Sequence, residues 1–282
     1  MTMIEHLDVA TNGIHLHVAT MGQGPAVLLL HGWPHTGALW AEVMPLLADA
    51  GFRAIAPDLR GLGGSTRVAG GYDLYTQAAD MAGLLAALEI QQAMVAGIDL
   101  GVGVAWMLAM RHRTLIRGLA LSEGMIGDLP GAERFLARGA PWWFGFHSVP
   151  GLAEAVIEGH EGAYLDWFYK DVPAMPPEIR DAFVAAYSGR EALRCGFEHY
   201  RSFAENGRQI REALADRPTV EQATLAIVGG VVGDAIHGQL ASIARDLRRV
   251  DIADCHHIVP LEQPRAFADA LIEFDRRSGD RG

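Results

Sequence analysis

Cysteine and positive charge are both scarce in this sequence, and each shortage excludes a class of protein. Two cysteines, Cys195 and Cys255, stand in 282 residues, which is too few for a disulfide framework and lacks the spacing of a metal site. Arginine and lysine together number 23 against 34 aspartates and glutamates, so the formal net charge is −11. Because binding to nucleic acid requires a basic surface, no nucleic-acid partner is expected.

Long apolar runs and targeting signals are missing as well. No apolar stretch reaches the roughly 20 residues that a membrane-spanning helix needs. Residues 1–6 lack the basic segment and apolar run of a secretory signal peptide. The glycine-rich loop at 58–65 lacks the lysine and the spacing of a phosphate-binding loop and is interpreted as a structural loop. Neither a cofactor nor a metal is expected. We therefore expect a cytoplasmic protein without a membrane contact, and a monomer and a homodimer both remain open.

Short apolar runs alternate with helical segments towards both ends of the chain. Apolar runs predict strands, and apolar residues at helical spacing predict helices. The predicted strands lie at 6–10, 14–19, 25–30, 52–56, 93–96, 116–121, 224–228 and 250–253, and the predicted helices at 38–49, 75–88, 102–110, 235–247 and 264–276. This alternation predicts an α/β fold in which helices flank a mostly parallel sheet.

Between residues 126 and 217 the pattern changes, because aromatic residues and short helical segments replace the strand-like runs. We interpret this stretch as a helical cap inserted into the sheet domain. The predicted organisation is a core formed by residues 1–125 and 218–282 and a cap formed by residues 126–217.

Five residues, Gly97-Ile98-Asp99-Leu100-Gly101, connect a predicted strand to a predicted helix and carry the strongest chemical signal. They have the form Gly-x-nucleophile-x-Gly, with aspartate where an esterase carries serine. The glycines let the chain turn sharply enough to lift one side chain off the sheet edge. An aspartate can attack only a carbon with a good or strained leaving group, such as a halide or an epoxide oxygen, and its ester must then be hydrolysed. Asp99 is therefore the predicted nucleophile.

Together with the loop His31-Gly32-Trp33-Pro34 and the late stretch from His257 to Pro264, this motif resembles the α/β-hydrolase fold. Within that fold, the chain resembles the epoxide hydrolase and dehalogenase branch, and the resemblance covers nearly the whole length. It departs at the two residues beside the nucleophile, where many relatives have histidine and tryptophan. The resemblance implies hydrolysis of a hydrophobic epoxide, polycyclic ones included, to a diol through a covalent Asp99 ester.

The resemblance also implies a histidine base and a carboxylate that orients it. His256 and His257 are adjacent, and the register of the family motif favours His257 as the base and a supporting or surface place for His256. For the acid, Glu123 and Asp234 compete, since each follows a predicted strand. Relatives with the Glu-Gln-Pro tail usually use the earlier position, which favours Glu123. Asp234 is alternatively the cap of the predicted helix at 235–247.

Hydrolysis of an ester needs donors for the developing oxyanion. Relatives use two backbone N–H groups, here those of Trp33 and Leu100, and the Trp33–Pro34 bond is expected to be cis. They hold the leaving oxygen with a late cap tyrosine, here Tyr200, and an earlier tyrosine or histidine, which aligns with Trp143. Because an indole N–H does not give up its proton, Tyr200 or water would supply it.

Three aromatic residues of the cap are predicted to bind the substrate, namely Trp142, Phe144 and Phe146. They suit a small hydrophobic molecule, which would react with water. The sequence leaves open whether Trp142 or Trp143 faces the pocket.

A haloalkane or haloacid dehalogenase with the same Asp-His-acid triad is the alternative activity. Fluoroacetate dehalogenases bind the substrate carboxylate with two arginines, and the matching positions here are Leu100 and Gly103. An anionic haloacid therefore has no visible binding group. A third option, a member of the fold that only binds a ligand, is disfavoured because candidates for nucleophile, base and acid are all present.

Overall fold

The computed structural model describes residues 3–172 and 175–279. Within that part of the chain, eight strands form one sheet. They are β1 Glu5–Thr11, β2 Ile14–Met21, β3 Ala26–Leu30, β4 Arg53–Pro57, β5 Ala93–Ile98, β6 Ile116–Ser122, β7 Val220–Val228 and β8 Ala244–Asp251. Their order in the sheet is β1-β2-β4-β3-β5-β6-β7-β8. Strand β2 is antiparallel to β1 and β4, and the other neighbouring pairs are parallel, which confirms the predicted α/β class.

Twelve α-helices occur in the same described residues. They are α1 Val43–Asp49, α2 Leu74–Ala87, α3 Leu100–Arg111, α4 Trp142–Ser148, α5 Leu152–Ile157, α6 Glu161–Tyr169, α7 Pro177–Ala186, α8 Arg190–Arg201, α9 Phe203–Asp216, α10 Gly233–Ala241, α11 Val259–Glu262 and α12 Pro264–Gly279. Helix α2 packs on α3, and α1 packs on α12. The predicted helix at 38–49 is divided into a 3-10 turn, Gly37–Trp40, and α1.

The central strands are buried, which explains their continuous apolar sequences. Every residue of β3 and β5 is buried, as is usual for parallel strands covered by helices on both faces. Because neighbouring parallel strands end at the same edge of a sheet, the loops that follow β3, β5, β6 and β7 come together there. That edge carries the site described below.

Between β6 and β7, the described residues form helices α4 to α9 and loops but no strand. Two buried tyrosines connect these helices to the loop after β3. The hydroxyl of Tyr169 donates to the carbonyl of Pro34 at 2.8 Å, and that of Tyr187 donates to the carbonyl of His35 at 3.0 Å. The predicted cap boundaries fall in loops at either end of these helices. Of the predicted domains, residues 1, 2, 173, 174 and 280–282 lie outside the described residues.

The prediction was wrong at the far end of the sheet. Helix α10 ends at Ala241 rather than at residue 247, and the last strand is β8 rather than residues 250–253. Strand β8 lies at the sheet edge and carries Arg245, Arg248 and Arg249. Because an edge strand is partly solvated, its sequence is polar and lacks the apolar run that marks the central strands.

Candidate active site

Asp99 occupies the sharp turn between β5 and α3. Its backbone is in the left-handed region, with φ 54° and ψ −123°. A residue with a Cβ rarely adopts this conformation, and it persists where the surrounding structure holds it in place. The turn presents the carboxylate at the carboxyl end of β5, close to the loop that follows β3.

Glycines make this close approach feasible. A Cβ on Gly97 would lie 2.4 Å from the carbonyl oxygen of Gly101, and one on Gly101 would lie 2.4 Å from the carbonyl oxygen of Leu30. A Cβ on Gly32 would lie 2.2 Å from Oδ1 of Asp99. The glycines of both sequence motifs therefore serve one purpose, which is to pack two loops against the nucleophile candidate.

The backbone N–H of Trp33 holds one oxygen of the Asp99 carboxylate. It donates a hydrogen bond to Oδ1 at 2.8 Å, and the N–H of Leu100 also favours the charged carboxylate. The Trp33–Pro34 bond is cis. Burial raises the pKa of Asp99, but His257 and the two N–H groups outweigh burial and hold the pKa below its ordinary value. Asp99 is therefore ionised at neutral pH.

His257 lies between two carboxylates. Its Nε2 is 3.4 Å from Oδ2 of Asp99, and its Nδ1 is 3.4 Å from Oε2 of Glu123. Burial lowers the pKa of His257, but the hydrogen bonds and negative charges of Asp99 and Glu123 override it and raise the pKa to about 10. The imidazole is therefore protonated at neutral pH, forms an ion pair with Asp99 and donates a hydrogen bond to Glu123.

Glu123 is fully buried directly after β6, and the loop after β7 binds its carboxylate. Oε1 accepts from the N–H of Gly229 at 2.9 Å, and Oε2 accepts from the N–H groups of Val231 at 3.2 Å and Val232 at 2.7 Å. A Cβ on Gly233 would lie 2.7 Å from Oε1. The glycine-rich sequence of this loop thus gives the backbone access to Glu123, which the sequence reasoning missed.

The competing candidates lie at the surface. The side chain of Asp234 is 63% exposed and lies 2.9 Å from Nη2 of Arg249. Helix α10 begins one residue before Asp234, so Asp234 does not cap it. His256 is 59% exposed, and its Nδ1 is 3.0 Å from Oε2 of Glu262. The structure therefore brings Glu123, rather than Asp234, to His257.

Tyr200 reaches the site from α8. The residue is 2% exposed, and its ring lies 5.8 Å from that of Trp33 and 5.7 Å from that of Phe144. Burial and the negative charge of Asp99 raise the pKa of Tyr200 well above its ordinary value, so the phenol stays protonated. Within the described residues, its hydroxyl makes no hydrogen bond.

The aromatic residues of α4 divide between the site and the surface. Phe144 contacts Tyr200, whereas Trp142 is 53% exposed and lines an open surface groove together with Phe146. The ring of Trp143 packs against four other aromatic rings, those of Trp142, Phe144, Trp167 and Phe168. No ring contact between Trp143 and Tyr200 occurs in the described residues.

A histidine that the sequence reasoning did not select lies beside Tyr200 instead. His147 follows Trp143 by one helical turn and is completely buried. Its ring centroid is 4.6 Å from that of Tyr200 and 4.6 Å from that of Trp33. Its Nε2 is 2.6 Å from the hydroxyl of Tyr164. The spacing of four residues from Trp143 was the available signal, because it places both side chains on one face of a helix.

Among residues 3–172 and 175–279, no three His, Cys, Asp or Glu side chains are grouped so as to bind a metal ion. No helix in the same residues is long and apolar enough to cross a lipid bilayer. The groups at this edge are an ionised carboxylate with a backbone N–H donor, a charged imidazole and a protonated phenol.

Comparisons with known proteins agree with this architecture. Residues 25–264 match the family model described as the alpha/beta hydrolase fold. The chain is 30% identical over 286 residues to the soluble epoxide hydrolase of Corynebacterium sp. (strain C12), covering 97% of this chain and 98% of that protein. It is 44% identical over 282 residues to the AB hydrolase superfamily protein YfhM of Bacillus subtilis (strain 168), covering 94% and 96%.

A solved structure, that of the epoxide hydrolase CorEH without ligand, has the same fold. It matches with a TM-score of 0.85 at 27% sequence identity, covering 98% of this chain and 99% of that chain. These matches confirm the family that the nucleophile turn and the His-Gly-x-Pro loop predicted. The chain belongs to the α/β-hydrolase fold family, which it shares with relatives that are named epoxide hydrolases.

Proposed function

We propose that the protein hydrolyses a hydrophobic epoxide to a diol through a covalent ester on Asp99. One observation carries the proposal. Oδ1 of the ionised carboxylate is held by the N–H of Trp33, while Oδ2 is 3.4 Å from the charged imidazole of His257. A carboxylate fixed in this way is a nucleophile for carbon, and the donors around it suit the later hydrolysis of an ester.

In the first step, Oδ2 of Asp99 forms a bond to an epoxide carbon. The carbon–oxygen bond of the ring breaks, and its electron pair passes to the ring oxygen. Tyr200 donates a hydrogen bond to this oxygen and then its proton, because an alkoxide is a far stronger base than a phenolate. The phenolate regains a proton that His257 releases through solvent.

Formation of the ester changes the protonation of His257. The interaction with Asp99 is the leading influence that raises its pKa, ahead of the interaction with Glu123, and it is lost together with the charge of Asp99 when the carboxylate becomes a neutral ester. The pKa of His257 then falls, so the imidazole becomes neutral and able to accept a proton. The nucleophile thereby switches its own base on after the first step.

In the second step, His257 takes a proton from water, and the hydroxide bonds to Cγ of Asp99. The charge that develops on Oδ1 is stabilised by the N–H groups of Trp33 and Leu100. Collapse of this intermediate breaks the bond between Cγ and Oδ2, which leaves with the diol and takes the proton of the new carboxylic acid. Asp99 is ionised again and His257 is charged. The sum is one epoxide and one water giving one diol.

The surroundings of the site support a neutral, apolar substrate. The rings of Trp33 and Phe144 pack against Tyr200, and neither Leu100 nor Gly103 carries a positive charge. A hydrophobic epoxide therefore fits the site better than an anionic haloacid, which would need a cation for its carboxylate.

A single turnover in H₂¹⁸O tests the proposal with styrene oxide and trans-stilbene oxide as probes. Enzyme in excess should give a diol without label, while Asp99 gains one ¹⁸O, because water attacks the ester and not the substrate. Peptide mass spectrometry locates the label. Label in the diol of the first turnover, or diol formation by Asp99→Ala at the wild-type rate, would refute the covalent route. Halide release from haloalkanes, with no diol from any epoxide, would replace the proposal by the dehalogenase alternative.

A further inference from the structure

His147 and Tyr164 form a polar pair. The rings around this pair are either apolar or part of the site. Burial lowers the pKa of His147 to about 3, so its imidazole is neutral and carries one proton. Burial likewise raises the pKa of Tyr164 well above neutrality, so its phenol is protonated. One of these two groups therefore donates to the other across the 2.6 Å between Nε2 and the hydroxyl.

The separation of these two atoms favours the phenol as the donor. Hydrogen bonds donated by N–H to oxygen usually span about 2.7–3.2 Å, whereas those donated by O–H are shorter. A phenol is also a stronger acid than a neutral imidazole. With Tyr164 donating to Nε2, the single proton of His147 must reside on Nδ1.

Nδ1 of His147 is buried and has no hydrogen-bond partner among the described residues. Buried N–H groups without an acceptor are rare in folded proteins, and each one calls for an explanation. The ring that bears this group packs against Tyr200 at 4.6 Å. The hydroxyl of Tyr200 also lacks a partner within the described chain, so two neighbouring rings each offer an unused donor.

We propose that His147 is the second hydrogen-bond donor to the oxygen that leaves the epoxide carbon, and that Tyr164 positions it by fixing its tautomer. This inference rests on the proposed function and assigns to His147 the part that sequence reasoning gave to Trp143. His147 keeps its proton and only donates a hydrogen bond, while Tyr200 transfers the proton. The two donors together stabilise the charge that develops when the ring opens.

Measuring the two half-reactions separately distinguishes the proposed role of His147 as a donor from a purely structural role. His147 acts only in ring opening, so His147→Phe, which keeps an aromatic ring, should slow formation of the Asp99 ester about 10²-fold. Hydrolysis of the ester should change less than about threefold, because that step uses other donors. Rapid quench with styrene oxide, followed by mass spectrometry of the Asp99 peptide, measures both rates. Ser148→Ala is the control on the same helix, at an exposed residue next to His147, and should leave both rates within about threefold.

A change of equal size in both half-reactions of His147→Phe would overturn the inference, as would an unchanged rate of ester formation. If Trp143→Phe loses ring opening instead, the second donor is Trp143 and the inference is wrong. A wild-type enzyme that forms neither ester nor diol from any epoxide would refute the proposed function itself. An active wild type with a normal His147→Phe refutes only the inference.

Nitrogen-15 NMR of the histidine rings gives a readout that does not depend on turnover. The spectrum of wild-type protein should show His147 with its proton on Nδ1, and Tyr164→Phe should lose that preference. This variant should also slow ring opening about tenfold, since the imidazole can then present the wrong nitrogen. A proton on Nε2 in the wild type would contradict the inference, even if His147→Phe proves too unstable to assay.

Discussion

Replacing Asp99 by asparagine should lower the pKa of His257 and thereby reproduce the charge state of the ester. The substitution removes a negative charge whose Oδ2 is 3.4 Å from Nε2 of His257. Two unit charges about 4 Å apart interact by about 4 kcal/mol at an effective dielectric constant near 20, which corresponds to about 3 pKa units. Starting from about 10 in the wild type, the pKa of His257 in the variant should lie at about 7.

Proton NMR of the ring Hε1 signals between pH 5 and pH 11 measures this pKa, with His257→Gln used to assign the signal. Asp234→Asn is the matched control, because it also removes a carboxylate but from an exposed position paired with Arg249. The control should leave the pKa of His257 unchanged. A fall of less than about one pKa unit in Asp99→Asn, or an equal fall in the control, would refute the charge coupling between Asp99 and His257.

Three further predictions concern Glu123, Gly32 and the buried His35. Glu123→Gln should slow ester hydrolysis about 10²–10⁴-fold, while Asp234→Asn should leave it unchanged; equal losses measured by rapid quench would contradict the assignment of the acid. Gly32→Ala should reduce turnover of styrene oxide at least about 10²-fold, because the new Cβ would lie 2.2 Å from Oδ1 of Asp99. Activity within about tenfold of wild type would show that the loop moves enough to accommodate the Cβ. Burial lowers the pKa of His35 to about 3. Between about pH 6.5 and pH 3, the unfolded chain therefore binds a proton on this residue that the native protein does not. Over that range, His35 should lower the free energy of unfolding by about 1.4 kcal/mol for each unit that the pH falls. Urea unfolding at several pH values should therefore show that the free energy of unfolding falls less steeply with decreasing pH in His35→Phe than in the wild type. Equal pH dependence in the two proteins would contradict the argument.

The sequence predicted most of the sheet because its central strands are buried on both faces. The run 25–30 and the run 93–96 are apolar at nearly every position, and the structure places β3 and β5 there. Strand β8 was misplaced for the opposite reason, since an edge strand with three arginines has no apolar run. Local composition therefore predicts burial well. It predicts a strand only where that strand is also buried.

The turn at Asp99 was predictable because the residues that determine its shape are adjacent in sequence. Two glycines, a strand before them and a helix after them determine how Asp99 is presented. The partners of Asp99 come from loops more than twenty residues away in sequence, so sequence alone left Glu123 and Asp234 in competition. Packing separates them, because three backbone N–H groups from the loop after β7 bind Glu123 while Asp234 faces solvent.

The cap was the least predictable part of the site. Trp143 was selected through the alignment with relatives, whereas His147, one turn later, is the side chain in contact with Tyr200. Which residue of an aromatic helix faces inward depends on how that helix rotates against its neighbours. Ring packing against Trp33 and Phe197 fixes this rotation for His147, and sequence periodicity over seven residues does not.

The N–H of Trp33 sits 2.8 Å from an oxygen that belongs to the protein itself. In an aspartate enzyme the anionic tetrahedral centre is the side-chain carbon Cγ, whereas in a serine enzyme it is the acyl carbon of the substrate, one covalent bond further from the main chain. Exchanging Asp99 for serine would therefore leave these donors too close to the backbone to hold an acyl oxygen. A change from an aspartate to a serine nucleophile on this fold therefore requires two changes. Residue 99 must be replaced, and the loop at 32–33 must also move away from it.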